Sequence, residues 1–71
     1  MKYIIIETYQ IPVAIVFSEL LQHDTMGMSE NVISAGYCNI NGEVWGKSVS
    51  LNKKSRPEDK VIILDTFTRS Y

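Results

Sequence analysis

The chain has one cysteine, one histidine and only four glycines, none adjacent to another. Cys38 has no partner for an intramolecular disulfide, and a single sulfur cannot assemble a thiolate metal cluster. Small secreted domains usually rely on disulfides, so their absence points to a reducing compartment. The isolated glycines exclude a glycine-rich phosphate loop. Long hydrophobic runs are also missing. Tyr3-Ile4-Ile5-Ile6 breaks at Glu7, too soon for a signal-peptide core and far too soon to span a bilayer. These scarcities lead us to expect a cytoplasmic protein without a membrane segment, a metal or a cofactor.

An excess of charge of either sign is lacking as well. The net charge is −1 over 71 residues, so the molecule as a whole has no long-range attraction for extended nucleic acid or an anionic membrane. Its distribution is uneven. Residues 1–46 carry Lys2 against Glu7, Glu19, Asp24, Glu30 and Glu43. Residues 47–56 carry Lys47, Lys53, Lys54 and Arg56 with no acid. A basic segment sits inside an otherwise acidic chain.

What is present is enough for one domain, residues 1–71, with a thin core. A 45% hydrophobic content is ordinary for a globular protein. Tyr3–Thr8 reads as a strand, and its unbroken isoleucines suggest burial on both faces. Ile11–Phe17 reads as a second strand, with Pro12 tolerated near its start. Ser18-Glu19-Leu20-Leu21 predicts a short helix with Ser18 as N-cap, and Met26–Ser29 a loop.

Val32–Ile40 and Glu43–Leu51 flank Asn41-Gly42, the pair favoured in two-residue type I′ turns. That turn would set Ile40 opposite Glu43, Cys38 opposite Trp45, Tyr37 opposite Gly46, Gly36 opposite Lys47 and Ser34 opposite Val49. Val32, Cys38, Ile40, Trp45, Val49 and Leu51 would then form the inward face. Ile33, Tyr37, Val44, Ser48 and Ser50 would form the other. Ser55-Arg56-Pro57-Glu58 matches a capping box, with Pro57 in the first turn of a helix running to about Thr68.

The expected fold is α+β: a four-stranded, mainly antiparallel sheet of two hairpins. A short helix follows strand 2, and a C-terminal helix packs on one face. One helix covers only one face of such a sheet, so the reading predicts a homo-oligomer or a partner over the other. Catalysis is not expected. Acyl transfer needs a nucleophile, a base and an orienting group; Cys38 faces inward, and His23-Asp24 are neighbours whose side chains diverge.

The basic segment is the candidate site. Ser48, Ser50 and Ser55 can donate to phosphate oxygens, while Lys53, Lys54 and Arg56 neutralise them near a helix N-terminus. Tyr37 and Trp45 can supply a stacking surface for a base. The candidate ligand-binding residues are therefore Tyr37, Trp45, Ser48, Lys53, Lys54, Ser55 and Arg56. The competing reading is a capped helix start with a solvated basic loop. Gly36 and Gly46, adjacent across the predicted hairpin, signal close approach by a backbone or a ligand.

Ser34-Ala35-Gly36-Tyr37, Lys47-Ser48-Val49-Ser50-Leu51 and Lys54-Ser55-Arg56-Pro57-Glu58-Asp59 together resemble small uncharacterised proteins of phages and prophages. The likeness covers the second half of the chain and carries no site residues with it. It implies a protein that acts on a host system by occupying a surface or sequestering a signal molecule; with the basic segment, the expectation is a counter-defence factor that sequesters an anionic small molecule such as a nucleotide. The alternative is a protein–protein inhibitor docking on a host enzyme or nucleoprotein complex through an apolar sheet face.

Overall fold

The computed structural model describes residues 1–22 and 31–69. The predicted loop Met26–Ser29 and the His23-Asp24 pair lie outside them. The described elements are β1 (Lys2–Ile6), β2 (Val13–Phe17), β3 (Val32–Cys38), β4 (Val44–Trp45), β5 (Lys47–Ser48), β6 (Lys53–Lys54) and α1 (Asp59–Arg69). The first four form an antiparallel sheet in the order β2-β1-β3-β4, and β5 and β6 form a separate two-stranded ribbon. The fold is α+β. None of the described helices is long and apolar enough to cross a membrane.

β1 is central, which accounts for its composition. Tyr3, Ile4, Ile5 and Ile6 are all buried, alternating between the two faces of the sheet. Tyr3 and Ile5 join Ala14, Cys38 and Ile63 beneath α1, with Val16, Ile33, Val44, Ile62 and Phe67 around them. Ile4 and Ile6 join Phe17 and Ala35 on the opposite face, with Ile15, Val32 and Leu51 against them. Full burial of an isoleucine side chain contributes about 1.5–3 kcal/mol, so β1 is the main source of hydrophobic stabilisation. A register shift between Ile5 and Ile6 pairs Ile5 with Ser34 and Ile6 with Val32. Ile33 is the extra residue, and this bulge turns it toward the α1 side.

The shortage of cover foreseen for the second face does not arise within one chain, where Ile4 and Ala35 are both 0% exposed. An uncovered sheet is therefore not a ground for expecting a partner.

The first two strands are shorter than expected because Thr8 organises a turn between them. Its hydroxyl oxygen accepts from the Gln10 and Ile11 N–H groups at 3.3 and 3.1 Å. After β2, the predicted short helix is a single turn. The Ser18 hydroxyl accepts from the Leu20 N–H at 3.1 Å, as a cap would, but among the described residues, to Gln22, no helix forms, and Leu20 is 93% exposed.

The second hairpin differs by one residue from the expected register, and that exchanges the faces of Val44 and Trp45 relative to β3. Tyr37 pairs with Trp45 and Cys38 with Val44. The loop is Ile40-Asn41-Gly42, with the Gly42 N–H donating to Asn39 O at 3.0 Å and Gly42 alone of the three at positive φ. This is a type I turn closed by a glycine bulge rather than a type I′ turn. Asn39 selects it: its Oδ1 accepts from the Asn41 and Glu43 N–H groups at 3.0 and 3.1 Å, and its amide donates to the Glu43 carboxylate at 2.8 Å. The slip sends Val44 into the core beside Cys38 and leaves Ile40, Trp45 and Val49, all predicted inward, exposed.

Candidate functional site

The predicted fourth strand, Glu43–Leu51, is broken at Gly46, whose φ of 74° an L side chain rarely adopts. The chain leaves the sheet there and returns as the ribbon. Lys47 pairs with Lys54 and Ser48 with Lys53. The connection is a tight turn in which the Asn52 N–H donates to Val49 O at 3.2 Å, with Asn52 itself left-handed at φ 55°. Ser48 is buried, and its hydroxyl lies 3.3 Å from both the Ser50 hydroxyl and the Leu51 N–H, which donates to it.

The ribbon surrounds a shallow depression of about 330 Å³, lined by Lys47, Ser48, Val49, Asn52, Lys53 and Lys54. None of the three lysines has an acidic partner among the described residues. Lys47 and Lys54 stand directly opposite each other, an arrangement in which like charges are destabilising. Lys47, absent from the residues singled out by sequence, thus belongs with Lys53 and Lys54. Its signal was available in the charge count of the segment, but only the ribbon register brings it across from Lys54.

Arg56 has a different fate. Its guanidinium holds the Asp59 carboxylate through Nη2 at 2.8 Å and Nε at 3.0 Å, while its own N–H donates to Asp59 Oδ2 at 2.9 Å. Asp59 is fully buried and accepts a further hydrogen bond from the Tyr3 hydroxyl. Burial, with the Asp59 hydrogen bond and charge adding to it, pushes the Tyr3 phenol well above its ordinary pKa. This network ties the start of α1 to the centre of β1.

The expected Ser55–Glu58 capping box is therefore displaced by one residue. Asp59 reaches back to the Arg56 N–H, and Pro57 occupies the first turn of the helix. The Ser55 N–H instead donates to Gly46 O at 3.1 Å, so Ser55 fastens the end of the ribbon to its beginning.

Tyr37 and Trp45, which the expected register put on opposite faces, pair directly in β3 and β4. Their rings stack with centroids 6.4 Å apart and planes 17° from parallel. Trp45 is 48% exposed, leaving indole surface available to another ring. The Tyr37 ring also lies over Gly46, where a Cβ would come within 2.8 Å of it. At Gly36 a Cβ would meet Trp45 O at 2.6 Å. Close approach by the chain's own backbone and aromatic ring explains both glycines.

The structure thus sorts the predicted residues into three groups. Ser48, Lys53 and Lys54 share the depression with Lys47; Tyr37 and Trp45 form an aromatic pair on the preceding strands; Ser55 and Arg56 serve the fold. Cys38 is buried beneath α1, and burial raises its thiol pKa, which disfavours the nucleophilic thiolate. Among the described residues, no three His, Cys, Asp or Glu side chains cluster as metal ligands.

No family model, no curated protein and no solved structure matches this chain.

Proposed function

We propose that the chain is a non-enzymatic binding protein that captures an anionic small molecule, a nucleotide, on the β5–β6 ribbon. The observation that carries this reading is three lysines around one depression, without acidic partners among the described residues, two of them in a mutually repulsive register. Repulsion retained in a folded ribbon is relieved when an anion lies between the charges. The half-exposed Trp45 offers a face on which a base can stack, with Tyr37 supporting it from behind. Sequestering a signal molecule is one of the two activities, with occupying a host surface, that the resemblance to small phage proteins implies.

Ligand binding to the native state alone raises the melting temperature by mass action. Mono-, di- and cyclic nucleotides at millimolar concentration are expected to raise it for the native sequence and not for a Lys47→Gln, Lys53→Gln, Lys54→Gln triple variant. Absence of a shift with every member of the series contradicts the proposal.

A second reading, inhibition of a host enzyme or nucleoprotein complex by docking, is favoured by a different observation. The edge of β2 is apolar: residues 13–16 carry no charge and, among the described residues, pair only with β1. Such an edge is a template for strand addition, by another protein or by a second copy of this chain. Val13 is exposed, so Val13→Lys tests it without disturbing the core. Loss of a partner or of a dimer in light scattering supports the edge; an unchanged mass and partner profile removes it.

A further inference from the structure

We infer that the anion for which the ribbon is suited is a phosphate monoester in its dianionic form, bridged by Lys47 and Lys54. This rests on the anion-binding reading above and narrows it to a class of ligand. The register sets Lys47 directly across from Lys54, and side chains directly opposite each other project from the same face, their Cβ atoms about 5 Å apart. Two ammonium groups so placed can grip different oxygens of a single phosphoryl group. Lys53 pairs with the buried Ser48 and projects from the other face, so two positive charges, not three, converge.

Charge complementarity then separates the candidate anions. A carboxylate or a phosphodiester carries one negative charge and leaves the pair half neutralised. A phosphate monoester carries about −1.5 to −2 at pH 7, with three terminal oxygens to accept from the lysines. Among the described residues, the strands packed against the ribbon add no competing anion. β3, which packs against the ribbon, has only the Tyr37 phenol and the buried Cys38 thiol as titratable side chains, and β4 has none. The acids Glu58 and Asp59 lie beyond the ribbon at the start of α1, where Arg56 engages them.

The dianion also makes binding depend on pH in a way that a solvated basic loop does not. The second ionisation of a phosphate monoester has a pKa near 6, whereas an alkylammonium group does not titrate between pH 5 and 8. Affinity for a monoester should therefore fall as pH drops through about 6, while affinity for a diester stays level.

Calorimetric titration of the whole chain with adenosine 5′-monophosphate and with 3′,5′-cyclic adenosine monophosphate, at pH 8 and pH 5, tests this. The expected result is a preference for the monoester of about tenfold or more at pH 8, with most of it gone at pH 5. Lys47→Gln and Lys54→Gln should each abolish the preference, whereas Lys60→Gln, on the exposed side of α1, should leave it unchanged. All three positions are exposed, so the variants should fold. Equal affinities at pH 8, or a preference independent of pH, overturn the dianion inference while nucleotide capture stands. A preference that survives both ribbon variants also overturns it. Binding of neither nucleotide overturns both readings together.

Discussion

Arg56 and the lysines of the ribbon lie within ten residues of one another, yet the fold treats them in opposite ways. Arg56 is half-buried and makes two guanidinium contacts to a carboxylate with no solvent exposure. Lys47, Lys53 and Lys54 are exposed, without acidic partners among the described residues, and two of them face each other. Positive charge in a sequence is therefore not one signal. A cation beside a buried acid is part of the core's polar network; a cation opposite another cation is a cost that something outside the chain can offset.

The sharpest way to break this comparison is to remove the buried acid. Asp59→Ala strips Arg56 and Tyr3 of their shared acceptor at the junction of α1 and β1. Urea unfolding should register a loss of about 3 kcal/mol, within the range for breaking a buried pair. A loss below about 1 kcal/mol would mean that the network does not anchor the helix.

Tyr3→Phe removes one donor and keeps the ring, so a loss of about 1.5–2 kcal/mol is expected, as for a hydrogen bond to a charged group. It carries a pH signature as well. The folded state holds the Tyr3 phenol protonated beyond its ordinary range, and a group with a raised folded pKa contributes stability that is complete below its unfolded pKa. That contribution should fade as pH rises above about 10. In the phenylalanine variant this part of the alkaline loss should be absent, which a comparison of unfolding curves at pH 8 and 11 will show.

Ser34→Ala should act in the opposite direction. The Ser34 hydroxyl is buried beside the core with no hydrogen-bond partner among the described residues, and its removal should raise stability by about 1 kcal/mol in the same assay. A fall of that size would mean that the hydroxyl is satisfied.

The smallest expected effect on stability bears most directly on the ribbon. Lys54→Glu converts a like-charge pair into an ion pair with Lys47 and should stabilise the fold by about 0.5 kcal/mol while eliminating anion binding. A gain in stability together with a loss of binding marks a position kept for function. Retained binding would place the site elsewhere.

Much of the architecture was legible in the residues, and the exceptions have identifiable causes. The unbroken isoleucines of β1 announced a strand buried on both faces, because no other placement removes so much apolar surface from water. Asn41-Gly42 marked the turn correctly but not its type. Asn39, two residues earlier, accepts hydrogen bonds within the loop and enlarges it by one residue, exchanging the faces of Val44 and Trp45. A local dipeptide rule could not contain that information, since the competing acceptor lies outside the dipeptide.

The α1 start erred by one residue for a similar reason. Ser55 has the composition of a cap, but its N–H is taken by Gly46, a partner nine residues away, and Asp59 finds Tyr3 across 56 residues. In the candidate site, the aromatic pair and the lysines could be read from local composition. The separation of Arg56 from those lysines could not, because it depends on a buried pocket that only the packed sheet creates.

The ribbon, and not the start of the helix, is the element expected to receive an anion. Amide chemical-shift mapping during titration with adenosine 5′-monophosphate measures this directly. Perturbations centred on Lys47, Ser48, Asn52, Lys53 and Lys54, with Arg56 through Asp59 unmoved, are the predicted result. Perturbations centred on Arg56 through Asp59, or none on the ribbon at saturating nucleotide, would contradict it.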